Sequence, residues 1–242
     1  SDETALVSRT VHADVGCLLN PSAERLTLID DEGTVLTSFE TFGVLVRWTA
    51  GAGTVLAPAT TPQWITQLVT EMGGSFTATP AEASAVQRAS AGPGISLATD
   101  GDGGFIWPSF LGGYDAMYTL AKLLELRAVR EVPLSVVRRS LPVSTYITAV
   151  EFCPWEVKGR VMRRLLEEHR GRPLDLVDGL KVFVEGGFVL VRPDPDEPAY
   201  HVIASVDDEL AGRRLVDEYV ERVRDAMGAG PHHGSVVEMP RP

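Results

Sequence analysis

The sequence predicts an α/β protein of two domains, a three-layer domain on a mixed sheet followed by a small α+β domain. Residues 1–141 alternate short apolar strands with helices of about 10–15 residues, which is typical of a parallel or mixed sheet covered by helices. Residues 142–228 carry one strand, one helix, a run of strands and a final helix, which favours a layered α+β sandwich. Residues 229–242 contain Gly, Pro and His without periodicity and are predicted to form a disordered tail.

The first domain is predicted from short apolar segments that turn residues separate. Strands are predicted at residues 14–19, 25–29, 54–57, 75–79, 95–98 and 105–107. The turn Asp31-Glu32-Gly33 breaks the apolar pattern after the second of these strands. Helices are predicted at residues 39–48, 61–72, 81–89, 115–130 and 134–141. Pro62 suits a helix start, because its missing N–H would have no partner there, and Gly73-Gly74 ends that helix.

The helix at residues 115–130 has the clearest apolar periodicity of this domain. The residues that repeat with helical spacing are Met117, Leu120, Ala121, Leu124 and Ala128. We expect this stripe to face a core and Lys122, Glu125 and Arg127 to face water.

The second domain begins after a boundary at residues 142–145. A strand at 146–152, a helix at 155–169 and strands at 180–184, 188–191 and 200–206 are predicted in turn. Glu185-Gly186-Gly187 is a hairpin signal between two of these strands. Asp207 is predicted to cap the final helix, whose apolar residues Val216, Tyr219, Val220, Val223 and Met227 share one face.

The composition excludes several classes of protein. The net charge of −11 and pI near 4.9 disfavour nucleic acid as a partner, because a negative surface repels the phosphate backbone. No run approaches the ~20 apolar residues of a membrane helix, and residues 1–8 lack a secretory signal. Cys17 and Cys153 cannot build a disulfide framework, so a reduced cytoplasmic setting is expected. The chain opens just before structured-looking sequence, and we expect its natural start to lie upstream.

Most common catalytic and metal motifs are absent from the sequence. The Cys and His residues show no metal-ligand spacing, so structural zinc is not expected. No Ser lies in a Gly-x-Ser-x-Gly elbow, and there is neither a Walker A loop nor a dinucleotide-binding glycine pattern.

Two segments carry candidate chemistry. Asp100-Gly101-Asp102-Gly103-Gly104 places two carboxylates on glycine-rich backbone, which suits either a hard cation or a solvated turn. An EF-hand is excluded, because Phe105 stands where that loop needs Gly. The cations Lys158, Arg160, Arg163, Arg164, Arg170 and Arg172 suit either a phosphate or a water-facing surface with local salt bridges. The loop at residues 192–198 carries three carboxylates, which would repel an anion.

The order of these segments resembles the α-D-phosphohexomutases, which include phosphomannomutase and phosphoglucomutase. Residues 15–33 resemble the strand, metal loop, strand and turn that open the family's third domain. Residues 104–110, followed by Tyr114-Asp115-Ala116-Met117, resemble its sugar-recognition strand and helix. Residues 191–198 resemble the phosphate-binding loop of the fourth domain. The resemblance implies a domain-III-like unit at 1–141 and a C-terminal-like, TBP-like α+β unit at 142–228.

The sequence at residues 153–159 is most similar to that of one branch of this family. In that branch a mannose-1-phosphate guanylyltransferase-like domain precedes a mutase-like region. The resemblance therefore implies upstream nucleotidyltransferase and mutase-like domains in the same chain.

Three departures from the family pattern concern the reaction itself. The family's metal loop reads Asp-Gly-Asp-Gly-Asp-Arg, whereas residues 20–25 read Asn-Pro-Ser-Ala-Glu-Arg and keep only Glu24 as an anionic ligand, so magnesium binding is weakened. The family's sugar loop has Glu, Ser and His, where this chain has Asp100 to Phe105. The phosphate loop reads Arg-x-Ser-Gly-Thr-Glu-Pro in the family, and Asp194-Pro195-Asp196 replaces Ser-Gly-Thr here.

The resemblance predicts a degenerate mutase-like module that binds a sugar phosphate or nucleotide sugar, or scaffolds an assembly, without catalysing the mutase reaction. No Ser-His-Asn-Pro phosphoserine motif occurs in the sequence. The candidate contacts are Glu24 for metal, Asp100 and Asp102 for sugar, and Arg25, Lys158, Arg192 and His201 for phosphate. Two alternatives remain, namely half of an active mutase that upstream domains complete, and a pure interaction module.

Overall fold

The computed structural model describes residues 2–49, 53–142 and 144–228. The predicted tail at residues 229–242 lies outside this described part. The chain divides into two compact units, unit 1 at residues 1–142 and unit 2 from residue 143 onwards. The predicted α/β fold with a mixed sheet is confirmed. Among the described residues, no helix combines the length and apolar character that crossing a bilayer requires.

Unit 1 contains a five-stranded mixed sheet, a two-stranded hairpin and six helices among its described residues. In chain order its elements are α1 (Asp2–Thr10), β1 (Gly16–Leu19), β2 (Leu26–Ile29), α2 (Ser38–Thr49), β3 (Thr54–Pro58), α3 (Gln63–Glu71), β4 (Ser75–Thr79), α4 (Ala83–Ser90), β5 (Ile95–Thr99), β6 (Phe105–Trp107), β7 (Leu111–Tyr114), α5 (Ala116–Arg130) and α6 (Leu134–Arg139). The strand order is β4-β3-β5-β6-β7, in which β3 runs parallel to both its neighbours and the β5-β6-β7 pairs are antiparallel. Strands β1 and β2 form the separate antiparallel hairpin.

The alternation of side chains along the strands separates the two faces of this sheet. Leu56, Ala98 and Ile106 pack against Val86 of α4 on one face. On the opposite face, Phe42 of α2 lies against Phe105, with ring centroids 6.3 Å apart. Because neighbouring strand residues point to opposite faces, the sheet is buried between helices on both sides.

The predicted core stripe of α5 is wrong. Met117 is 64% exposed and Leu124 is 48% exposed, whereas Ala116, Thr119 and Leu123 are buried. The cause is a polar contact: Trp107 Nε1 donates to Thr119 Oγ1 at 3.0 Å, which turns Thr119 towards the sheet. Both stripes have helical spacing and differ by one residue, a rotation of roughly 100° about the helix axis, so periodicity alone selected the wrong one.

The described residues of unit 2 form a single antiparallel sheet with two helices. Its elements are β8 (Thr145–Phe152), α7 (Trp155–Glu168), β9 (Leu174–Asp175), β10 (Leu180–Val184), β11 (Gly187–Pro193), β12 (Ala199–Val206) and α8 (Glu209–Met227), and the strand order is β8-β12-β11-β10-β9. Both helices contribute to one apolar cluster, in which Val161 of α7 and Val223 of α8 are fully buried with Val189 and Val202 of the sheet. The helices therefore cover one face of this sheet.

The hairpin predicted at Glu185-Gly186-Gly187 is confirmed, because Val184 pairs with Gly187 across a two-residue turn. A Cβ on Gly187 would lie 1.8 Å from the carbonyl oxygen of Ser205, so only glycine allows β11 to approach β12 here. The predicted cap of α8 is wrong by one position. Asp208, not Asp207, accepts the hydrogen bond from the Ala211 N–H.

Candidate functional site

In unit 1 the predicted metal and sugar segments lie side by side. The Leu26 N–H donates to the Gly103 carbonyl at 3.0 Å, and the Ala116 N–H at the start of α5 donates to the Ala23 carbonyl at 2.9 Å. The loop at residues 20–25, the loop at 100–104 and the first turn of α5 are therefore joined by backbone hydrogen bonds. The loop at residues 100–104 follows the carboxyl end of β5, where parallel sheets commonly place ligands, and the loop at 20–25 connects β1 and β2 beside it.

Arg25 and Asp100 form the central ion pair of this region. Arg25 Nε and Nη2 lie 2.9 and 2.8 Å from Asp100 Oδ2, and the Asp100 side chain is 3% exposed. Asp100 Oδ1 accepts hydrogen bonds from the amides of Asp102 and Gly104. Both carboxylate oxygens of Asp100 are thus engaged within the protein.

Asp102 remains at the surface beside this pair. Its carboxylate lies 3.6 Å from Arg25 Nε and its side chain is 72% exposed. Burial and the negative charge of Asp100 raise the pKa of Asp102, and Arg25 opposes this rise. A Cβ on Gly103 would lie 2.6 Å from the Leu26 carbonyl oxygen, so glycine at this position, with φ of +80°, is what lets the loop close.

The loop at residues 20–25 does not fit a magnesium ion. Asn20 Oδ1 accepts from the amides of Glu24 and Arg25, at 2.9 and 3.0 Å, so this oxygen faces its own backbone. Ser22 Oγ bridges Asn20 Nδ2 and Glu24 Oε2, which leaves one carboxylate as the anionic donor. Magnesium prefers octahedral oxygen ligation with carboxylate charge. Among the described residues, no group of three or more His, Cys, Asp or Glu side chains could hold a metal.

In unit 2 the predicted phosphate contacts cluster around the loop after β11. Arg192 and His201 are cross-strand partners on β11 and β12. Arg192 Nη1 lies 3.3 Å from Asp178 Oδ2. Arg192 Nε is buried and has no hydrogen-bond partner within the described part of the chain. The Nε–H of Arg192 is therefore a donor that could take an additional acceptor.

Asp194 organises this loop from within. Its Oδ1 accepts from the amides of Asp196 and Glu197, both at 2.8 Å, and its Oδ2 lies 2.6 Å from His201 Nε2. The hydrogen bond from His201, helped by the two amides against the effect of burial, lowers the pKa of Asp194 to about 2. Asp194 is accordingly an anion at neutral pH, held by two amides of its loop and by His201 of β12.

Lys158 supports the same loop from the helix side. Its Nζ donates to the Asp194 carbonyl at 2.6 Å and also to the Glu197 carbonyl, and it lies 3.7 Å from the centre of the Trp155 ring. Lys158 is 9% exposed. The ammonium group therefore ties α7 to both ends of the loop turn.

Two further cations of α7 contact the C-terminal end of α8. Arg160 donates to the Met227 carbonyl and Arg164 to the Asp225 carbonyl, both at 2.9 Å. These contacts favour the salt-bridge and capping interpretation of this charge over the phosphate interpretation.

The structure thus brings Arg25 together with Asp100 and Asp102, and it gathers Lys158, Arg192 and His201 around residues 192–198. Glu24 stands at the exposed edge of its loop. Sequence reasoning missed Asp178 as the partner of Arg192 and Trp155 as the ring above Lys158. Asp178 has no sequence signal, because it lies 14 residues before Arg192 and meets it only in the folded sheet. Trp155 does have one, because it stands three residues before Lys158 on α7, a spacing that places the two side chains together.

Sequence relatives and structural neighbours of the chain are named as sugar-phosphate mutases. No protein-family model matches the chain. Sequence relatives include the "Probable phosphoglucosamine mutase" of Methanopyrus kandleri, 29% identical over 223 residues, which are 89% of this chain and 49% of the relative. The phosphoglucomutase/phosphomannomutase of Thermococcus kodakarensis is 24% identical over 225 residues, 91% of this chain and 49% of the relative. The chain spans about half the length of the curated relatives it matches.

Solved structures show the same fold. A phosphoglucomutase/phosphomannomutase family protein from Burkholderia thailandensis superposes with a TM-score of 0.77 at 21% identity, over 94% of this chain and 50% of the other. The N-acetylphosphoglucosamine mutase of Aspergillus fumigatus, in complex with GlcNAc-6P and magnesium, superposes with a TM-score of 0.60 at 10% identity, over 87% of this chain and 48% of the other. The relatives and structural neighbours of the chain are α-D-phosphohexomutases, and its fold is the one they share over the matched half.

Proposed function

We propose that the chain is a phosphohexomutase-like module that binds or scaffolds within a nucleotide-sugar biosynthetic enzyme and does not catalyse the mutase reaction. The observation that carries the proposal is the position of the Asp194 carboxylate. This carboxylate accepts hydrogen bonds from the Asp196 and Glu197 amides and lies within hydrogen-bond distance of His201. A bound phosphate would need these same donors.

The chemistry of phosphoryl transfer explains why this matters. Catalysis of that reaction rests on positioning the group and on stabilising its negative charge. An incoming phosphate would need to accept hydrogen bonds from the donors that already surround the ionised Asp194. The two negative charges would then lie a few ångströms apart and repel each other. Asp196 and Glu197 add further negative charge to the same loop.

The unit 1 loops support the same conclusion. The loop at residues 20–25 does not fit magnesium, so we propose no metal-dependent reaction at this loop. Arg25 and the buried carboxylate of Asp100 satisfy each other. We therefore propose that Arg25 and Asp100 have a structural role in holding these loops together. Arg192 and His201 contact an anionic ligand, and Lys158 positions their loop.

A loop-restoration experiment tests the proposal. The triple variant Asp194→Ser, Pro195→Gly, Asp196→Thr removes the internal anion and returns an N–H at residue 195. We expect inorganic phosphate and mannose-1-phosphate to bind this variant at least about tenfold more tightly than the parent chain, as measured by calorimetric titration. Arg192→Ala in the triple variant should abolish the gain.

A matched control uses Asp207→Ser, which removes a carboxylate from a loop of unit 2 outside this site. It should leave phosphate affinity unchanged. Equal affinity of the parent and restored chains for both ligands would refute the internal-anion explanation.

The absence of mutase activity is tested in the full-length natural protein. We expect no interconversion of mannose-1-phosphate and mannose-6-phosphate with excess magnesium and a bisphosphate activator, measured in a coupled assay. Turnover that Arg192→Ala abolishes would overturn the proposal.

A second candidate is half of an active hexose-phosphate mutase that other domains complete. The curated relatives named above are mutases, and the unpartnered Nε of Arg192 favours an anion at that point. The sequence upstream of residue 1 separates the candidates. A Ser-His-Asn-Pro loop would favour the active mutase, whereas a guanylyltransferase-like domain without that loop would favour the non-catalytic module.

A further inference from the structure

Unit 1 contains a cavity of about 540 Å³ on the α2, α3 and α5 side of its sheet. Val55, Leu97 and Trp107 of the sheet line it, together with Val46 of α2 and Val69 of α3. Pockets for small molecules are commonly apolar clefts of about 300–1,000 Å³ with a few polar groups. The size and the walls of this cavity fit that description.

The cavity is separate from the candidate site of unit 1. Val55 lies near the start of β3 and Leu97 at the middle of β5, whereas Asp100 follows the carboxyl end of β5. At about 3.3 Å per residue, Ser96, which also lines the cavity, and Asp100 are ~13 Å apart along the strand. A ligand in the cavity would therefore leave the loops at residues 20–25 and 100–104 accessible.

Aromatic rings form one wall. Tyr118 of α5 lies edge-on to Trp107, with centroids 6.1 Å apart and an angle of 68°. Phe110 stacks on Tyr118 with centroids 3.9 Å apart and an angle of 7°, although Phe110 itself is 58% exposed. These rings hold one another in place and present flat apolar surface, which favours a flat ligand over a branched one.

Within the described part of the chain, one charged side chain, a cation, lines the cavity. Lys122, one turn after Tyr118, is the one charged side chain among the described residues that line it. Its Nζ pairs with Glu125 Oε2 at 2.9 Å, and the Glu125 side chain is 63% exposed. An exposed pair of this spacing contributes little, so a ligand carboxylate can replace Glu125 as the partner of Lys122.

We propose that this cavity binds a small aromatic carboxylate, with its ring against Trp107 and Tyr118 and its carboxylate on Lys122. The site is independent of the loops on which the proposed function rests, so the two proposals fail or succeed separately.

The test is calorimetric titration of the full chain with 1-naphthoate and, as the neutral counterpart, 1-naphthalenemethanol. We expect naphthoate to bind at least about tenfold more tightly than the alcohol, because only the acid can pair with Lys122. Lys122→Ala should remove this difference by weakening naphthoate alone. Glu125→Gln should strengthen naphthoate binding by about twofold, since Lys122 then loses its competing partner.

Two controls locate the binding. Arg88→Ala removes an exposed cation from α4 on the opposite face of the sheet, and it should change neither affinity. Met72→Trp adds bulk to the cavity wall and should weaken both ligands. Equal binding of acid and alcohol, binding that survives both Lys122→Ala and Met72→Trp, or no binding at all would overturn the proposal.

Discussion

Two neighbouring arginines of α6 have very different environments, although their sequence context is the same. Asp30 is fully buried and accepts hydrogen bonds from the amides of Glu32 and Thr34 and from Arg138 Nε at 2.8 Å. Arg139 instead pairs with Glu32, and both of their side chains are about half exposed. Burial thus decides which of the two ion pairs matters for stability.

We expect Arg138→Ala to lower the free energy of unfolding by about 3 kcal/mol, because it leaves the charge of Asp30 buried without its cation. Arg139→Ala, the matched control, should leave the free energy of unfolding essentially unchanged, because its ion pair with Glu32 is exposed to water. Urea denaturation of the full chain measures both. Equal effects of the two variants would contradict this assignment.

Asp194 gives a pH dependence with a defined sign. Its pKa is lowered in the folded chain to about 2, mainly by the hydrogen bond from His201, so its contribution is complete above the unfolded pKa of ~3.9. That contribution disappears as the pH falls from about 4 to about 2. We expect Asp194→Asn to reduce stability by about 1 kcal/mol at pH 6, since this carboxylate retains some contact with water, and by much less at pH 2.5.

Urea denaturation across pH 2.5–6 provides the check, with the difference between variant and parent isolating this one group from the other carboxylates. A difference that stays constant over the whole range would show that Asp194 does not titrate with a lowered pKa.

At the scale of elements, α5 shows how a polar contact overrides an apolar pattern. Helix existence and limits follow from the sequence, since Asp115 caps the first turn by accepting from the Tyr118 N–H. The rotation of the helix about its axis does not follow from the sequence, because Thr119 is buried by its hydrogen bond with Trp107, a residue on a separate strand. The cavity exists on this side of the sheet because the same rotation directs Tyr118 and Lys122 towards it.

Adjacent leucines test this rotation. Leu123 is fully buried and Leu124 is 48% exposed, the reverse of what the apolar stripe predicts. Leu123→Ala should destabilise unit 1 by about 2–5 kcal/mol, and Leu124→Ala by about 0.5 kcal/mol or less. Thermal or urea unfolding of both variants distinguishes them, and a larger loss at Leu124 would mean that the predicted stripe is correct after all.

At the scale of the whole molecule, each unit has an apolar core of its own. In unit 2 the buried pair of His169 and Tyr219 adds a polar link between the end of α7 and α8, with His169 Nε2 2.8 Å from the Tyr219 hydroxyl. The helices are further joined through the carbonyls that Arg160 and Arg164 reach. This unit therefore contains the contacts that an independent domain needs.

We expect residues 144–228 alone to fold and to unfold in one cooperative transition, followed by circular dichroism on heating. Tyr219→Phe should lower the midpoint by several degrees, because it leaves a ring nitrogen of His169 buried without its partner. A fragment without a cooperative transition would contradict the independence of unit 2.

Local sequence by itself determined most of the helices and strands in their order and the hairpin turn at Glu185-Gly186. These depend on turn chemistry, periodicity and residue type, which neighbouring positions already specify. The short elements α1, β7 and β9 were not predicted, since each has little periodicity of its own. Only the tertiary structure decided that Asp100 faces Arg25, that Asp194 occupies the donors of its own loop, that Lys158 supports this loop, and which stripe of α5 is buried. The contacts of Asp100, Lys158 and α5 join residues distant in the chain, whose geometry the folded sheets set. Asp194 bonds to amides two and three residues further on, and its contact with His201 depends on the pairing of β11 with β12.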